Sequence, residues 1–310
     1  MMSILITGGA GFIGSNMVDA LIDGNYEVIV IDNLSTGYRE NLNNKAQFYN
    51  IDLNDRKIYD VFKKHNIEKV IHLGAQIDVT RSVKDPIYDS NINIQGSINL
   101  FQACIKNDVK KVVYASSAAV YGEPNYLPIN EGHPIKAMSP YGVSKHTPEH
   151  YLKYFNNEYD LDYTVLRYSN VYGPRQSAAG EGGVIAIFVD RMLRDKSPVI
   201  YGDGKQSRDF IHVFDIIRAN LQALDTASGK TLNVSTRTET TVNRLVKIIN
   251  ENLDKNLEPI YKERREGDIR HSILDNSKAL KYLEWEPTFN IEDGIEQTIK
   301  YYQKRSQKND

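Results

Sequence analysis

The sequence predicts an α/β protein with a Rossmann-type, doubly wound parallel sheet and a smaller α/β C-terminal lobe. Apolar runs of strand length alternate with longer amphipathic segments as far as Asn170, which indicates a parallel sheet with helices on both faces. The strands are apolar throughout rather than alternating, as expected for burial on both sides. A glycine cluster joins the first strand to the first helix.

The predicted elements follow one another along the chain. Strands are predicted at residues 3–7, 27–32, 47–52, 69–75, 111–117 and 162–170. Helices are predicted at residues 12–23, from the third strand to about 65, 89–107 and 141–158. Beyond a glycine-rich loop at 173–183, short strands lie within 199–213 and 231–236, with helices near 184–195, 214–225 and 240–253. We therefore expect a first domain over residues 1–172 and a smaller lobe over 173–310, with some segments returning to the first domain.

The composition argues against several classes of partner. The 310 residues carry a formal net charge of −2, without the basic stripe that binds nucleic acid or an anionic membrane. No apolar run approaches the roughly 20 residues of a membrane span, and the opening MMSILITGGAG lacks a signal-peptide pattern. Cys104 is the single cysteine, which fits a reducing compartment. We expect a cytoplasmic protein without a bound metal.

The first candidate site is the run TGGAGFIG at residues 7–14. Gly8, Gly11 and Gly14 are three residues apart, where glycine permits a tight turn and lets backbone N–H groups approach a pyrophosphate. The next helix offers its positive N-terminus to that anion. Asp32 ends the second strand, where a carboxylate binds the adenosine ribose and repels a 2′-phosphate. We predict NAD rather than NADP; the alternative is a glycine-rich turn without a ligand.

Other cofactor contacts are expected at the carboxyl ends of neighbouring strands, where ligands of open α/β sheets bind. Asp52 ends the third strand and is a candidate for the adenine edge, with a helix N-cap as the equally weighted alternative. The remaining predicted cofactor residues are Phe12, Ile13, Asn33, Leu53, Leu73, Ala75, Gln76, Asn93 and Lys145.

The second candidate site combines tyrosine, lysine and serine. Tyr141 and Lys145 are four residues apart on a predicted helix and so share one face. The fifth strand ends at Ser116 and Ser117, and we expect both hydroxyls to face a substrate. A phenol titrates near 10, so Tyr141 needs a lowered pKa to act as a base, and a nearby lysine and a positive nicotinamide have the required charge. The alternatives are an exposed helical pair and a capped turn.

Several motifs together resemble the extended short-chain dehydrogenase/reductase family, and within it the UDP-glucose 4-epimerases. The resemblance covers nearly the whole chain. The motifs are TGGAGFIG (7–14), DNLSTG (32–37), SSAAVYG (116–122), YGVSK (141–145), NVYGPRQ (170–176), RDFIHVFD (208–215), and EGD (266–268) followed by DNSKAL (275–280).

This resemblance implies a role for each matching residue. Tyr141 is the base, Lys145 holds the cofactor ribose and lowers the tyrosine pKa, and Ser117 binds the sugar oxygen. Asn93 supports the lysine through water. Asn170, Arg208 and Arg265 hold the nucleotide diphosphate of a UDP-sugar; the alternative for the two arginines is a surface ion pair.

The resemblance also implies which reaction takes place. Relatives that dehydrate a nucleotide sugar carry an Asp-Glu pair where this chain has Ala118 and Ala119, so elimination lacks its acid and base. We expect NAD-dependent epimerisation at C4 of a UDP-hexose through a 4-keto sugar. The alternatives are epimerisation of a UDP-pentose or UDP-uronate, a dehydratase, decarboxylase or reductase, and a binding protein that uses this fold without turnover.

Three further expectations concern substrate breadth, assembly and geometry. Ser272 replaces a tyrosine of hexose-specific relatives, which implies room for the N-acetyl group of UDP-GlcNAc or UDP-GalNAc. The family usually dimerises through helices that here would be 89–107 and 141–158, so we expect a homodimer. Pro148 lies inside the second of these helices, where proline removes a backbone donor and favours a kink.

Overall fold

The computed structural model describes residues 2–178, 183–264 and 268–309. Within these ranges the strands are β1 (Ser3–Thr7), β2 (Glu27–Asp32), β3 (Gln47–Asn50), β4 (Lys69–His72), β5 (Lys111–Ser117), β6 (Asp162–Tyr168), β7 (Asn170–Tyr172), β8 (Val199–Tyr201), β9 (Ser207–His212), β10 (Lys230–Val234), β11 (Glu239–Thr241), β12 (Ile260–Lys262) and β13 (His271–Ser272). The α-helices are α1 (Phe12–Asp23), α2 (Ile58–Lys64), α3 (Val79–Lys84), α4 (Pro86–Ser90), α5 (Gly96–Lys106), α6 (Pro140–Tyr159), α7 (Val184–Leu193), α8 (Val213–Ala223), α9 (Val242–Leu253), α10 (Ser277–Leu283) and α11 (Ile291–Asn309). None of the helices in the described part of the chain is both long enough and apolar enough to cross a membrane.

The main sheet is parallel throughout and has the strand order β3-β2-β1-β4-β5-β6-β10. The first six strands have the order of a dinucleotide-binding fold, which confirms the predicted class. Apolar residues fill both faces, one cluster beneath α1 and α8 and another beneath α2, α5 and α6.

One short strand beyond residue 173 belongs to the main sheet. The segment 231–236 is expected within the second lobe, from which some segments are expected to return to the first domain; β10 is such a segment, because it pairs with β6. The physical reason is its buried run from Leu232 to Val234, which packs into the same apolar cluster as α1 and α8. Sequence periodicity does not reveal which strand a buried run will join.

The predicted sixth strand at 162–170 divides between two sheets. β6 ends at Tyr168, and the backbone N–H of Ser169 donates to the carbonyl of Val234. β7 then pairs with β9, which also pairs with β11 and β13. These strands and the β8–β12 pair belong to the C-terminal half, whose apolar cluster is formed mainly by α7, α9 and α11.

The predicted helix over 89–107 is interrupted. α4 ends at Ser90, residues Asn91–Gln95 form a π-helical turn, and α5 begins at Gly96. Asn93 is buried in this turn and uses its side chain for contacts outside the helix. Such π-turns are frequent at functional sites.

Pro148 does not interrupt α6, which runs without a break from Pro140 to Tyr159. Proline in a helix disturbs the hydrogen bonds of the preceding turn. In that turn the carbonyl of Lys145 accepts a hydrogen bond from Tyr114 Oη at 3.0 Å. This contact attaches α6 to β5.

A buried ion pair connects α6 to the main sheet. Arg167 of β6 donates from Nε and Nη2 to the two carboxylate oxygens of Glu149, at 3.0 and 2.6 Å. Ser116 Oγ donates to the same carboxylate at 2.6 Å, and Arg167 Nη1 donates to Tyr121 Oη at 2.9 Å. Both charged side chains are buried, so each depends on the other for compensation.

We predict that Glu149→Ala strongly destabilises the protein, because it leaves the Arg167 guanidinium buried without its partner. Loss of one partner of a buried pair costs about 3–5 kcal/mol, which denaturant unfolding measures. The matched control is Glu292→Ala, whose partner Arg244 lies in an exposed pair; exposed pairs contribute about 0–1 kcal/mol. Equal losses in the two variants would contradict the assignment.

Candidate active site

A glycine turn forms one wall of a crevice at the carboxyl ends of the central strands. Gly8 has φ +70°, and a Cβ there would lie 2.7 Å from the backbone nitrogen of Gly74. A Cβ on Gly14, in the first turn of α1, would overlap the carbonyl oxygen of Gly8. The backbone of the turn therefore packs directly against the N-terminus of α1. The N-cap is Gly11, so no side chain caps this end of the helix. Its free N–H groups suit a phosphate.

Asp32 lies at the end of β2, at the edge of a cavity of about 140 Å³. Its carboxylate accepts hydrogen bonds from the backbone N–H groups of Ala10 at 3.0 Å and Leu34 at 2.7 Å. The glycine turn and this oriented acid fit the phosphates and the ribose of NAD. The sequence-predicted residues that line the same cavity are Gly8, Asp32, Asn33, Asp52, Leu53, Ala75 and Gln76.

Asp52 is not the N-cap of α2, which is Lys57, so of the two roles that the sequence left open, contact with the adenine edge stays a prediction. Asp52 lines the cavity, and its Oδ2 accepts a hydrogen bond from Asn33 Nδ2 at 2.7 Å. Its Oδ1 also accepts from the backbone N–H of Asn54 at 2.9 Å, which caps the local turn. Of the other predicted cofactor residues, Phe12 and Ile13 begin α1, and Leu73 packs against the apolar core.

Another wall of this cavity is formed by residues of α3, α4 and the following π-turn, none of which the sequence motifs indicated. Arg81 stacks over the ring of Tyr88 at 3.8 Å, and both residues line the cavity together with Ile92. Asp78 and Asp85 cap α3 and α4. These two capping acids were the available signal, since Asp before a short helical segment marks its start.

Local capping and close packing position Tyr141 at the start of α6. Ser139 caps the helix by accepting a hydrogen bond from the N–H of Gly142, and Pro140 occupies the first turn. The backbone N–H of Tyr141 donates to the buried Ser82 Oγ at 3.1 Å. A Cβ on Gly142 would lie 2.6 Å from the carbonyl oxygen of Ala119. The helix therefore packs closely against the turn that follows Ser117.

The protein's own groups keep the Tyr141 phenol protonated. Burial is the largest influence and raises the pKa of Tyr141; the adjacent Ser117 hydroxyl lowers it and Asp89 raises it. Among the described residues, Lys145 is not one of the groups that shift the pKa of Tyr141, although its charge was expected to lower it. The Lys145 ammonium lies 4.7 Å from the centre of the Tyr114 ring, where the aromatic face attracts a cation.

Burial shifts Lys145 in the opposite direction from Tyr141. It lowers the pKa of the ammonium to about 8, against the opposing charges of Glu149 and Asp89. The buried His72, near Lys145, has its pKa lowered to about 3 by burial and by the lysine charge. It is therefore neutral, and Lys145 is the cation beside the tyrosine.

One sequence prediction needs correction. Ser116 was expected to face substrate with Ser117, but Ser116 is buried and its hydroxyl donates to Glu149. The reason is strand geometry, since successive side chains point to opposite faces. Ser117 Oγ accepts from the N–H of Ala119 at 3.1 Å on the Tyr141 side.

Asn93 was predicted to contact the cofactor and reach the lysine through water. Both roles stay predictions. Asn93 Oδ1 accepts from the N–H of Gln76 at 2.8 Å, and Nδ2 donates to the carbonyl of Gln76 at 2.9 Å. Nδ2 also donates to Ser144 Oγ at 2.9 Å on α6. The side chain thus joins the cofactor crevice to the catalytic helix.

The predicted diphosphate residues lie on the strands of the second sheet. Asn170 begins β7 and is exposed, and Arg208 lies in β9 beside Ser272 of β13 in the strand register. Burial lowers the pKa of Arg208, against the charges of Asp268 and Glu123. Arg265 lies outside the described residues.

The fold and the site define a dinucleotide-dependent enzyme with a tyrosine and a lysine on one helix. Residues 4–235 match the model of the NAD dependent epimerase/dehydratase family. A UDP-glucose 4-epimerase of Mycolicibacterium smegmatis is 38% identical, covering 99% of this chain and 100% of that protein. The chain belongs to this NAD-dependent family, specifically to its UDP-glucose 4-epimerases, and is an isomerase.

Two solved structures show the same fold over nearly their whole length. UDP-glucose 4-epimerase from Thermotoga maritima with UDP-glucose has a TM-score of 0.97 and 46% identity, covering 98% of this chain and 100% of that one. UDP-N-acetylglucosamine 4-epimerase from Methanobrevibacter ruminantium, in complex with UDP-N-acetylmuramic acid, has a TM-score of 0.94 and 40% identity, covering 98% and 99%.

We predict that Gly14→Ala weakens NAD binding, because the added methyl group pushes α1 away from the Gly8 carbonyl. Such overpacking costs about 1–3 kcal/mol, so the dissociation constant for NAD should rise about ten- to hundredfold. Calorimetric titration of cofactor-stripped protein measures it. Gly132→Ala is the control, since its Cβ would contact only the end of the Asn130 side chain at 3.2 Å; unchanged affinity in Gly14→Ala would contradict the cradle.

Proposed function

We propose that this protein interconverts the C4 epimers of a UDP-hexose, UDP-glucose and UDP-galactose, through a 4-keto sugar. The supporting observation is that Tyr141 pairs with the Ser117 hydroxyl and donates its backbone N–H to Ser82 Oγ, next to Arg81, which lines the cofactor cavity. In this proposal residues 1–172 mainly bind the cofactor, and most of 173–310 binds the nucleotide sugar.

Each catalytic side chain has one task in this mechanism. Bound NAD would supply hydride acceptance and hydride return at C4. Tyr141 Oη takes the proton of the C4 hydroxyl and later returns it, while the Ser117 hydroxyl holds the same oxygen. Because the protein's own groups keep this phenol protonated, the phenolate that takes the proton would depend on the positive nicotinamide ring of bound NAD together with the Lys145 charge. Since the 4-keto sugar has no stereocentre at C4, rotating it between the two transfers inverts the configuration.

Ala118 and Ala119 limit the chemistry to this exchange. They form a short 3₁₀ turn directly after Ser117, capped by its side chain. Methyl groups at both positions provide no acid for a leaving hydroxyl and no base for a neighbouring C–H proton. The 4-keto sugar is therefore expected to be reduced again at C4 rather than to undergo elimination.

Substrate breadth is the second part of the proposal. Ser272 lies next to Arg208 across two paired strands, so its small side chain borders the expected position of the sugar diphosphate. The similarity to the N-acetylglucosamine epimerase of Methanobrevibacter ruminantium supports the same choice of substrate. We infer that UDP-GlcNAc and UDP-GalNAc are accepted as well.

We also propose a homodimer. α6 exposes Val143, Tyr151 and Tyr154, and the neighbouring α3 and α4 expose Val83 and Ile87. Five exposed apolar side chains on adjoining helices indicate a protein interface. A second copy of the same face suits them, because two-fold dimers pair identical patches.

The deciding experiment is incubation of the purified protein with UDP-galactose and, separately, UDP-GalNAc, followed by NMR of the anomeric protons. Conversion of both to their C4 epimers is the expected result. Conversion of UDP-galactose alone would remove the claim of breadth. A 4-keto-6-deoxy product would mean that Ala118 and Ala119 do not exclude elimination. Turnover of only UDP-pentoses or UDP-uronates would replace the hexose assignment.

We predict that Tyr141→Phe lowers kcat about 10²- to 10⁴-fold, the usual contribution of a general acid–base group. NAD content should not change, because the ring remains and the lost hydroxyl serves the substrate. Steady-state rates with UDP-galactose and the released nucleotide measure the two quantities. Tyr159→Phe, at the exposed end of the same helix, is the control; loss of activity in both variants would contradict the role.

We predict that Ser272→Tyr selectively removes activity on the N-acetylated substrate, because the ring fills the space next to the N-acetyl group. The ratio of kcat/KM for UDP-GalNAc to that for UDP-galactose should fall at least about tenfold, since a clash of 1–3 kcal/mol suffices. Ser272→Ala, which removes only the hydroxyl, should leave the ratio near its original value. An unchanged ratio in the tyrosine variant would place the N-acetyl group elsewhere.

A further inference from the structure

Asp89 is a buried acid that neither the motifs nor the mechanism includes. Only 1% of its surface is exposed, and it lies in α4, which packs against α6. Its Oδ1 accepts hydrogen bonds from Gln76 Nε2 at 2.8 Å and Asn93 Nδ2 at 3.2 Å. Its Oδ2 is buried and has no hydrogen-bond partner among the residues that the structure describes. A carboxylate oxygen left in this state is costly, so a compensating function is expected.

The contacts of Asp89 lead to both parts of the active site. Gln76 lines the cofactor cavity. Asn93 Nδ2 donates to Ser144 Oγ, which in turn donates to the carbonyl of Tyr141 at 3.1 Å. Two short hydrogen-bonded routes therefore connect one carboxylate to the cofactor crevice and to the catalytic helix.

The other titratable groups around the pair are already neutral or paired. His72 and Tyr114 are buried, and burial keeps the first unprotonated and raises the pKa of the second well above its usual value. Glu149 is held by Arg167. Arg81 of α3 stacks on Tyr88. Among the described residues Asp89 is not part of a salt bridge, so its charge acts on Tyr141 and Lys145.

We propose that Asp89 is a positioning residue whose carboxylate, held by Gln76 and Asn93, places one negative charge beside the Tyr141–Lys145 pair and sets the pH range of turnover. The inference rests on the proposed function and assigns the electrostatic control of that site. The sign follows from charge: a carboxylate favours the protonated phenol and the protonated amine alike, and it raises both pKa values.

The consequence is largest for Lys145. Burial already lowers the pKa of this ammonium to about 8, so without Asp89 the lysine loses its proton closer to neutral pH. The phenol, freed from the same negative charge, ionises at lower pH. Removal of the charge therefore moves both limbs of the pH profile in the acid direction, whereas a purely structural defect lowers the rate at every pH.

The test is the pH dependence of kcat for the full-length holoenzyme with saturating UDP-galactose. In Asp89→Asn we expect both limbs to move about one pH unit toward acid, as for loss of one nearby charge. Asp89→Ser, smaller and also neutral, should shift them in the same direction, so the comparison does not depend on one variant folding. Asp89→Glu keeps the charge and should retain the original limbs.

The matched control is Asp85→Asn, which removes the same charge from the same helix at its exposed cap and should leave both limbs unchanged. Limbs that stay in place in both neutral variants of Asp89 overturn the proposal, even if the rate falls. Equal shifts in Asp85→Asn also overturn it. If the unchanged protein turns over no UDP-sugar, the proposed function fails, and this inference with it.

Discussion

The bidentate pairing of Glu149 with Arg167 is the constraint on which the catalytic geometry depends. Glu149 lies one helical turn beyond Lys145 and two turns beyond Tyr141. Its partner is fixed in β6, and its carboxylate also accepts from Ser116 at the end of β5. Replacing a buried pair by apolar residues of equal volume is often neutral for stability. We interpret the pair as a device for orientation, because a planar guanidinium fixes the rotation of a helix as apolar packing does not.

The two walls of the cofactor crevice obtain their rigidity in different ways. On the glycine side, backbone packs on backbone, and the absence of side chains at Gly8 and Gly14 is itself the structural requirement. On the catalytic side a hydrogen-bonded chain runs from Thr7 through His72 and Ser97 to the carbonyl of Asn93. Ser97 donates to that carbonyl, so it accepts from His72 Nε2; burial and the Lys145 charge keep His72 neutral. That chain holds the π-turn against the end of β4.

Local patterns were sufficient to predict the first six strands of the main sheet and to select candidate residues at their carboxyl ends, whose roles stay predictions. The glycine turn, Asp32 and the Tyr141–Lys145 pair are encoded by spacing within a few residues. The membership of β10 in the main sheet is a long-range property. An apolar run such as that around Leu232 can be buried in either sheet, and only its pairing with β6 decides which. The same limit explains why the sequence did not indicate Asp89. Its hydrogen bonds with Gln76 and Asn93 form only when the chain folds.

The electrostatic behaviour of the tyrosine and lysine also follows from folding rather than from their spacing. Spacing alone suggested that Lys145 simply lowers the pKa of Tyr141. Burial instead disfavours the charged form of both groups, raising the pKa of the phenol and lowering that of the ammonium to about 8. The charged form of Lys145 is favoured by the nearby charges of Glu149 and Asp89, and the phenolate of Tyr141 by the hydrogen bond from Ser117. The pair is therefore most responsive to further charges placed in its surroundings, whether the positive ring of the cofactor or the carboxylate of Asp89.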